Sequence, residues 1–151
     1  MRFLTIAVCA LTGLTGLAPT TAIAITPGVH AFEANLQDAP CGRNMFCGSG
    51  KLTGFGTVKT RLVLRIVAPP AAGCLGVVGT RRLTLTSDRK NALRLAVKGA
   101  ACGSRGWGTF KVSSGSGIFA GATGSGVILG SLTKTGRERL RYSGVLTLAR
   151  K

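Results

Sequence analysis

Acidic residues and histidine are scarce in this sequence. Its 151 residues include four Asp or Glu and one His, against 20 Lys or Arg, which leaves a formal net charge of +16. General acid–base catalysis depends mainly on His, Asp and Glu side chains, so this sequence has few residues that could act as a general acid or base. His30 and Glu33 have H-x-x-E spacing, but residues three apart on a strand point to opposite faces. We therefore expect no metal site, no cofactor and no catalytic residue, and this scarcity favours a non-enzymatic function.

The motifs of common nucleotide-binding and hydrolytic enzymes are also missing. The run Gly48–Lys51 lacks the first glycine and the following Ser or Thr that a phosphate-binding loop requires. No G-x-S-x-G sequence marks a serine nucleophile. The glycines of residues 115–126 lead into a predicted strand rather than a helix, so they form no dinucleotide-binding fingerprint. These absences leave a binding or structural role as the leading class of function.

The first 24 residues are predicted to be a secretory signal peptide. Arg2 supplies a short positive region, residues 3–17 are uncharged and mostly apolar, and Ala22 and Ala24 form an A-x-A cleavage site. A membrane anchor is the alternative, but Thr and Gly interrupt the apolar run, which is shorter than the roughly 20 residues needed to span a bilayer. We expect cleavage after Ala24 and a secreted or periplasmic mature protein.

Removal of this signal peptide would leave an even number of cysteines. They are Cys41, Cys47, Cys74 and Cys102. In an oxidising compartment this number favours two disulfides over a metal site, although four cysteines allow three pairings. Residues that face each other across an antiparallel hairpin have a constant sum of numbers, and a predicted turn at 87–91 places Cys74 opposite Cys102. We therefore predict one disulfide between Cys74 and Cys102 and another between Cys41 and Cys47.

Apolar and polar residues alternate with a period of two through most of the chain, which predicts half-buried antiparallel strands. Leu93 and Leu95, for example, flank Arg94. We predict strands at 29–37, 50–58, 60–68, 76–86, 92–100, 107–113, 124–133 and 139–149. Residues 25–49 are expected to form an N-terminal arm that contains the first strand and the Cys41–Cys47 loop, ahead of a β-barrel body at 50–151 in the same domain.

Eight strands joined by short loops favour an all-β fold, a small antiparallel up-and-down barrel, because closure removes exposed strand edges. A two-sheet sandwich is the alternative. Ile66 shares an alternating face with Leu62 and is expected inside. Glycines within the predicted strands, such as Gly54 and Gly126, would permit the sharp coiling that a small barrel needs.

Residues 106–148 contain a glycine-rich run at 113–126 and a Tyr-Ser-Gly-x-Leu-Thr sequence at 142–147. This region resembles allene oxide cyclase and dirigent proteins. There a similar run joins two strands of a small eight-stranded barrel. The region is also similar to small exported bacterial β-barrel proteins of unknown function. The resemblance implies a central cavity able to take a small apolar molecule, and hence an alternative function as a cavity-based cyclase or dirigent-like protein.

Basic residues are the most prominent feature of the predicted strands. They occupy the face opposite the apolar residues and so would cover the outside of the barrel. The strand-borne cations are Arg61, Arg65, Arg82, Arg94, Lys98, Lys111, Arg139 and Arg141. Such a surface attracts anionic polymers and membrane surfaces through nonspecific electrostatics. The leading interpretation is therefore an exported, non-enzymatic binding or envelope-associated module, with a charge that serves only solubility as the simpler alternative.

Overall fold

A computed structural model describes residues 26–71 and 73–150 of the chain. The predicted signal peptide lies outside these residues. The described part contains eight β-strands and one short 3₁₀ turn at Gly117–Phe119. The strands are β1 (Gly28–Gly42), β2 (Met45–Leu52), β3 (Gly56–Ala71), β4 (Cys74–Leu85), β5 (Ala92–Cys102), β6 (Arg105–Ser116), β7 (Thr123–Leu132) and β8 (Glu138–Leu148).

Each strand pairs antiparallel with the next one in the sequence, and β8 pairs with β1 to close the sheet. This topology confirms the predicted eight-stranded up-and-down barrel and excludes the two-sheet sandwich. Closure satisfies the backbone hydrogen bonds of both outer strands, which would otherwise be exposed edges. The barrel therefore needs no covering helix to protect its edges.

The first half of the barrel differs from the sequence prediction. The expected arm is a β-hairpin, since β1 continues to Gly42 and β2 begins at Met45, with a register shift between Pro40 and Gly42. The next turn lies at residues 53–55 rather than at 59, and Gly54 there has φ +80°, a left-handed conformation that suits glycine. Leu52 and Val58 on either side of this turn are both buried, so the apolar alternation continues across it and conceals the break.

One end of the barrel is filled by apolar side chains and is here called the packed end. The ring centroids of Phe55 and Phe119 lie 5.1 Å apart, and those of Phe32 and Phe110 lie 4.9 Å apart. Phe119 comes from the 3₁₀ turn within the glycine-rich run, which joins β6 to β7 as expected. This run therefore closes the packed end of the barrel with a buried aromatic ring.

The opposite end carries both disulfides and is here called the disulfide end. Cys74 lies opposite Cys102 in the register of β4 and β5, with a Cα–Cα distance of 4.1 Å. Cys41 and Cys47 link β1 to β2 with a Cα–Cα distance of 5.6 Å. Both predicted pairings are confirmed. Ile66, expected inside, is instead 58% exposed on β3 near this end, where the register with β4 shifts after Ile66.

Candidate functional site

The eight cations predicted to lie outside the barrel are all exposed. They are distributed over β3 (Arg61 and Arg65), β4 (Arg82), β5 (Arg94 and Lys98), β6 (Lys111) and β8 (Arg139 and Arg141). Their placement follows from the period of two, because the alternate residues of each strand fill the interior. Within residues 26–71 and 73–150, none of these eight side chains forms an ion pair within 4.0 Å of a carboxylate.

The strand register brings three of these cations into one line. Arg61 on β3 lies opposite Arg82 on β4, and Arg82 lies opposite Arg94 on β5. We call these three residues the arginine row. Neighbouring strands are about 4.8 Å apart, so the three side chains leave the surface side by side. Like charges directly opposite each other destabilise a sheet, so the row is a local cost to the fold unless an anion neutralises it.

The arginine row borders a surface depression of ≈ 180 Å³, lined in part by Arg82, Arg94, Ser114 and Ser116. A β-bulge in the pairing of β5 with β6 lies at this position, where the register shifts after Arg94. The bulge leaves an extra residue on β6, Ser113, whose Oγ donates to the carbonyl oxygen of Arg94 at 3.0 Å. Guanidinium groups and hydroxyls thus converge on one concave spot of the outer surface.

The structure does not bring the other cations into this row. Arg65 and Lys98 lie in a parallel line four residues farther along β3 and β5, on either side of Val78. Arg139 and Arg141 lie on β8 beside a separate groove of ≈ 450 Å³. The outer charge is therefore uneven, with its greatest density of arginine across β3, β4 and β5.

A second polar cluster, which the sequence analysis missed, lies inside the barrel. Arg81 is completely buried, and its Nη1 donates to Oδ2 of Asp38 at 2.6 Å and to Oγ1 of Thr60. Its guanidinium carbon also lies 5.3 Å from the ring centroid of Tyr142, a distance typical of a cation–π contact. Three strands that are distant in sequence, β1, β4 and β8, thus meet at one buried charge.

The alternation of inward and outward positions along each strand could have predicted this cluster. Arg81 has the same parity as Leu83 and Leu85, which are buried, whereas Arg82 has the opposite parity and is exposed. Asp38 likewise continues the inward series of Leu36 on β1. The sequence analysis assigned Arg82 to the outer face but drew no conclusion about Arg81, whose parity places it inside the barrel.

The buried ion pair is incompletely hydrogen-bonded. In the part of the chain that the structure describes, Nε and Nη2 of Arg81 and Oδ1 of Asp38 have no hydrogen-bond partner. A buried polar group without a partner costs about 1–3 kcal/mol, and more when it is charged. Three N–H bonds of the guanidinium, one on Nε and two on Nη2, are therefore left without an acceptor among the described residues.

Two other ionisable groups adjoin Arg81. Burial raises the pKa of Tyr142 to about 12, and Arg81 opposes this shift. Burial also raises the pKa of Glu138, with Arg81 lowering it and Asp38 raising it further. Tyr142 therefore keeps its proton at neutral pH, and the proton affinity of Glu138 is increased.

At the disulfide end of the described barrel, a cavity of ≈ 110 Å³ borders Arg81, Glu138 and Tyr142. Its apolar wall comes from several strands and includes Leu62, Leu64, Val97, Ile128 and Leu140. Glycines occupy inward positions on this wall at Gly99, Gly106 and Gly108, so no side chains fill the space. The cavity is therefore an apolar space with a polar base.

His30 contacts a backbone carbonyl oxygen and an aromatic ring. Its Nε2 lies 2.7 Å from the carbonyl oxygen of Thr26, and its ring centroid is 6.2 Å from that of Phe55. Among the described residues, no group of three or more His, Cys, Asp or Glu side chains could hold a metal ion. The described part also contains no helix long and apolar enough to cross a membrane.

No family model, curated protein or solved structure matches the chain. The eight-stranded barrel implied by residues 106–148 is present, while the resemblance of that region to allene oxide cyclase and dirigent proteins stays a prediction. The functional argument therefore depends on the two sites just described, the arginine row outside the barrel and the Arg81 cluster inside it.

Proposed function

We propose that the protein is an exported, non-enzymatic module that binds anionic polymers through its basic outer surface. The arginine row, Arg61, Arg82 and Arg94, is the observation that carries this proposal. The two disulfides support a location in an oxidising compartment, secreted or periplasmic. In such a compartment anionic polysaccharides, lipid headgroups and nucleic acid are available as partners.

The chemistry of the row suits a chain of repeated anionic groups. An arginine guanidinium can pair with two oxygens of a phosphate, sulfate or carboxylate at once, and it stays charged at all physiological pH values. Three guanidinium groups side by side can contact successive anionic groups of one polymer. Each contact releases counterions from the polymer, so affinity should fall steeply as salt concentration rises.

The depression beside the row makes this region more than a diffuse positive surface. Arg82 and Arg94 border it together with the hydroxyl-bearing Ser114 and Ser116. The hydroxyl of Ser116 already donates to the carbonyl oxygen of Lys90 at 2.7 Å, so Ser114 is the residue whose hydroxyl can add a directional hydrogen bond to the charge of the guanidinium groups. The surrounding closed sheet holds these donors on a rigid backbone, which lowers the entropy cost of binding. We therefore place the centre of binding on β4 and β5.

The alternative of a cyclase or dirigent-like activity on an apolar ligand is less well supported. Sites for drug-sized molecules have volumes of roughly 300–1,000 Å³. The cavity of this barrel measures ≈ 110 Å³, and the packed end is filled by buried phenylalanine and leucine side chains. The geometry consequently favours the outer surface over the interior as the main functional site.

Binding of the full-length mature protein to heparin, duplex DNA and vesicles containing anionic lipid, each at two salt concentrations, tests the proposal. We expect binding that weakens with salt. Arg82→Ala should weaken it several-fold more than Arg139→Ala, a matched control that removes the same charge from another exposed strand position. If both variants lower affinity slightly and equally for every polymer, binding is nonspecific adhesion. The absence of binding to all three would refute the proposed function.

A further inference from the structure

We propose that the cavity at the disulfide end binds a small, uncharged molecule that carries one carbonyl-type oxygen, with this oxygen accepting hydrogen bonds from Arg81. The carrying observation is a completely buried guanidinium beside the cavity whose Nε and Nη2 have no partner among the described residues. This site is separate from the arginine row, which lies on the outer face of the same sheet. The inference therefore does not depend on polymer binding.

The charge of the cluster selects against ionic ligands. Asp38 already neutralises Arg81 at 2.6 Å, and Glu138 and the buried ring of Tyr142 adjoin the same guanidinium. An anionic ligand would meet two carboxyl groups, and a cationic one would meet Arg81. A carbonyl oxygen supplies the acceptor that the free N–H groups lack without adding a net charge to a desolvated site.

The volume of the cavity limits the size of the ligand. An apolar cavity of about 150 Å³ can hold benzene, and the water content of the same space would be only a few molecules. Benzene has six non-hydrogen atoms, so by the same ratio a space of ≈ 110 Å³ holds about four or five of them inside the barrel, and a sixth can lie in the open mouth of the cavity. Most of the remaining wall is formed by aliphatic residues and glycines, although Trp107 and Lys98 also border the cavity, so the rest of the ligand should be hydrocarbon.

The construction of the barrel keeps this space open. Inward glycines leave the wall without side chains, and a Cβ at Gly106 would meet only the carbonyl oxygen of Ala100, at 3.6 Å. Leu64 and Leu140 are only partly buried and pack on the edge of the core. Because Nε and Nη2 of Arg81 have almost no accessible surface in this structure, binding as proposed requires neighbouring side chains to shift and expose them. The two disulfides cross-link neighbouring strands at this end of the barrel, where glycines line part of the wall.

Titration of the isotope-labelled mature protein by NMR, followed at the side-chain Nε–H of Arg81, tests the proposal. The probes are cyclopentanone, methylcyclopentane, butyrate and cyclopentylamine, each with six non-hydrogen atoms. A hydrogen bond to a charged donor predicts that cyclopentanone binds about tenfold or more tightly than methylcyclopentane. It should also shift the Arg81 resonance, and both charged probes should bind more weakly than cyclopentanone. Equal binding of ketone and hydrocarbon, or preference for butyrate, would overturn the proposal.

Variants distinguish this site from adsorption elsewhere. Gly106→Leu should fill the cavity and abolish cyclopentanone binding, whereas Thr109→Val, an outward substitution on the same strand, should leave it unchanged. Arg81→Met with Asp38→Leu removes both buried charges together and should abolish the preference for ketone over hydrocarbon. Unchanged cyclopentanone binding in Gly106→Leu would overturn the inference. Arg82→Ala should leave this binding intact, so failure of polymer binding and failure of the cavity site remain separate outcomes.

Discussion

At the scale of single residues, neighbouring arginines have opposite environments. Arg81 is completely buried beside Asp38, and Arg82 is exposed in the middle of the arginine row. The strand period of two is the whole cause of this difference, because successive side chains point to opposite faces of the sheet. Residue type alone therefore does not reveal the role of a cation in this protein, whereas its parity along the strand does.

Tyr142 predicts a loss of stability in alkaline solution. Its pKa is raised to about 12 in the folded barrel, against about 10 in an unfolded chain. The folded state therefore disfavours ionisation, and this contribution to stability is present in full below pH 10. It is lost as pH rises from 10 through 12, by about 2–3 kcal/mol in all. Denaturant unfolding at several pH values should show this slope, and Tyr142→Phe should reduce it. An equal slope in both proteins would contradict the assignment.

At the scale of secondary-structure elements, the hairpins determine which residues meet. The turn after β4 contains Asp88, whose side chain accepts hydrogen bonds from the backbone N–H of Lys90 at 3.0 Å and from the side chain of Asn91 at 3.2 Å. This turn sets the register that places both Cys74 opposite Cys102 and Arg82 opposite Arg94. One local turn thus positions a disulfide and two members of the arginine row.

The two disulfides should contribute unequally to stability. Cys74 and Cys102 are 28 residues apart in sequence, and Cys41 and Cys47 are six apart. In the chain-entropy model the longer loop contributes about 3–4 kcal/mol and the shorter one about 2–2.5 kcal/mol. Replacing each pair by alanines and measuring unfolding in urea should show the larger loss for the 74–102 pair. A larger loss for the 41–47 pair would show that the entropy of the unfolded chain is not the main effect.

At the scale of the whole molecule, the two ends of the barrel differ in side-chain packing, and its outer and inner faces differ in charge. The packed end is filled by aromatic and aliphatic side chains, while the disulfide end has glycines, a small cavity and covalent links. Outside, the basic surface lacks carboxylate partners within the described residues. Inside, the Arg81–Asp38 pair is balanced in charge. The barrel wall therefore separates an outer surface with many exposed cations from an interior that holds a charge-balanced ion pair.

Export is the prediction that concerns the chain as a whole. We expect cleavage after Ala24, because Ala22 and Ala24 place small residues at the A-x-A positions after an apolar run. Intact-mass measurement of protein recovered from outside the cytoplasm should give a chain that begins at Ile25. A mass that still includes the apolar run would show that residues 1–24 are retained as an anchor.

The sequence by itself determined the all-β fold class, the number of strands, the exposed positions of the eight cations and the disulfide pairing. These features depend on a period of two and on turns, both of which are local properties of the chain. The turn at Gly54 escaped prediction because inward apolar residues continue on both sides of it.

Only the tertiary structure decided which residues meet across the barrel. The contact of Arg81 with Asp38 and Tyr142 requires that β1 pair with β8 and that all eight strands close in one register. The arginine row likewise depends on two consecutive strand registers, β3 with β4 and β4 with β5. A shift of one residue in either register would reverse the faces of a strand and separate these groups. Closure is a property of all the strand pairs together, so no single segment of the sequence specifies either site.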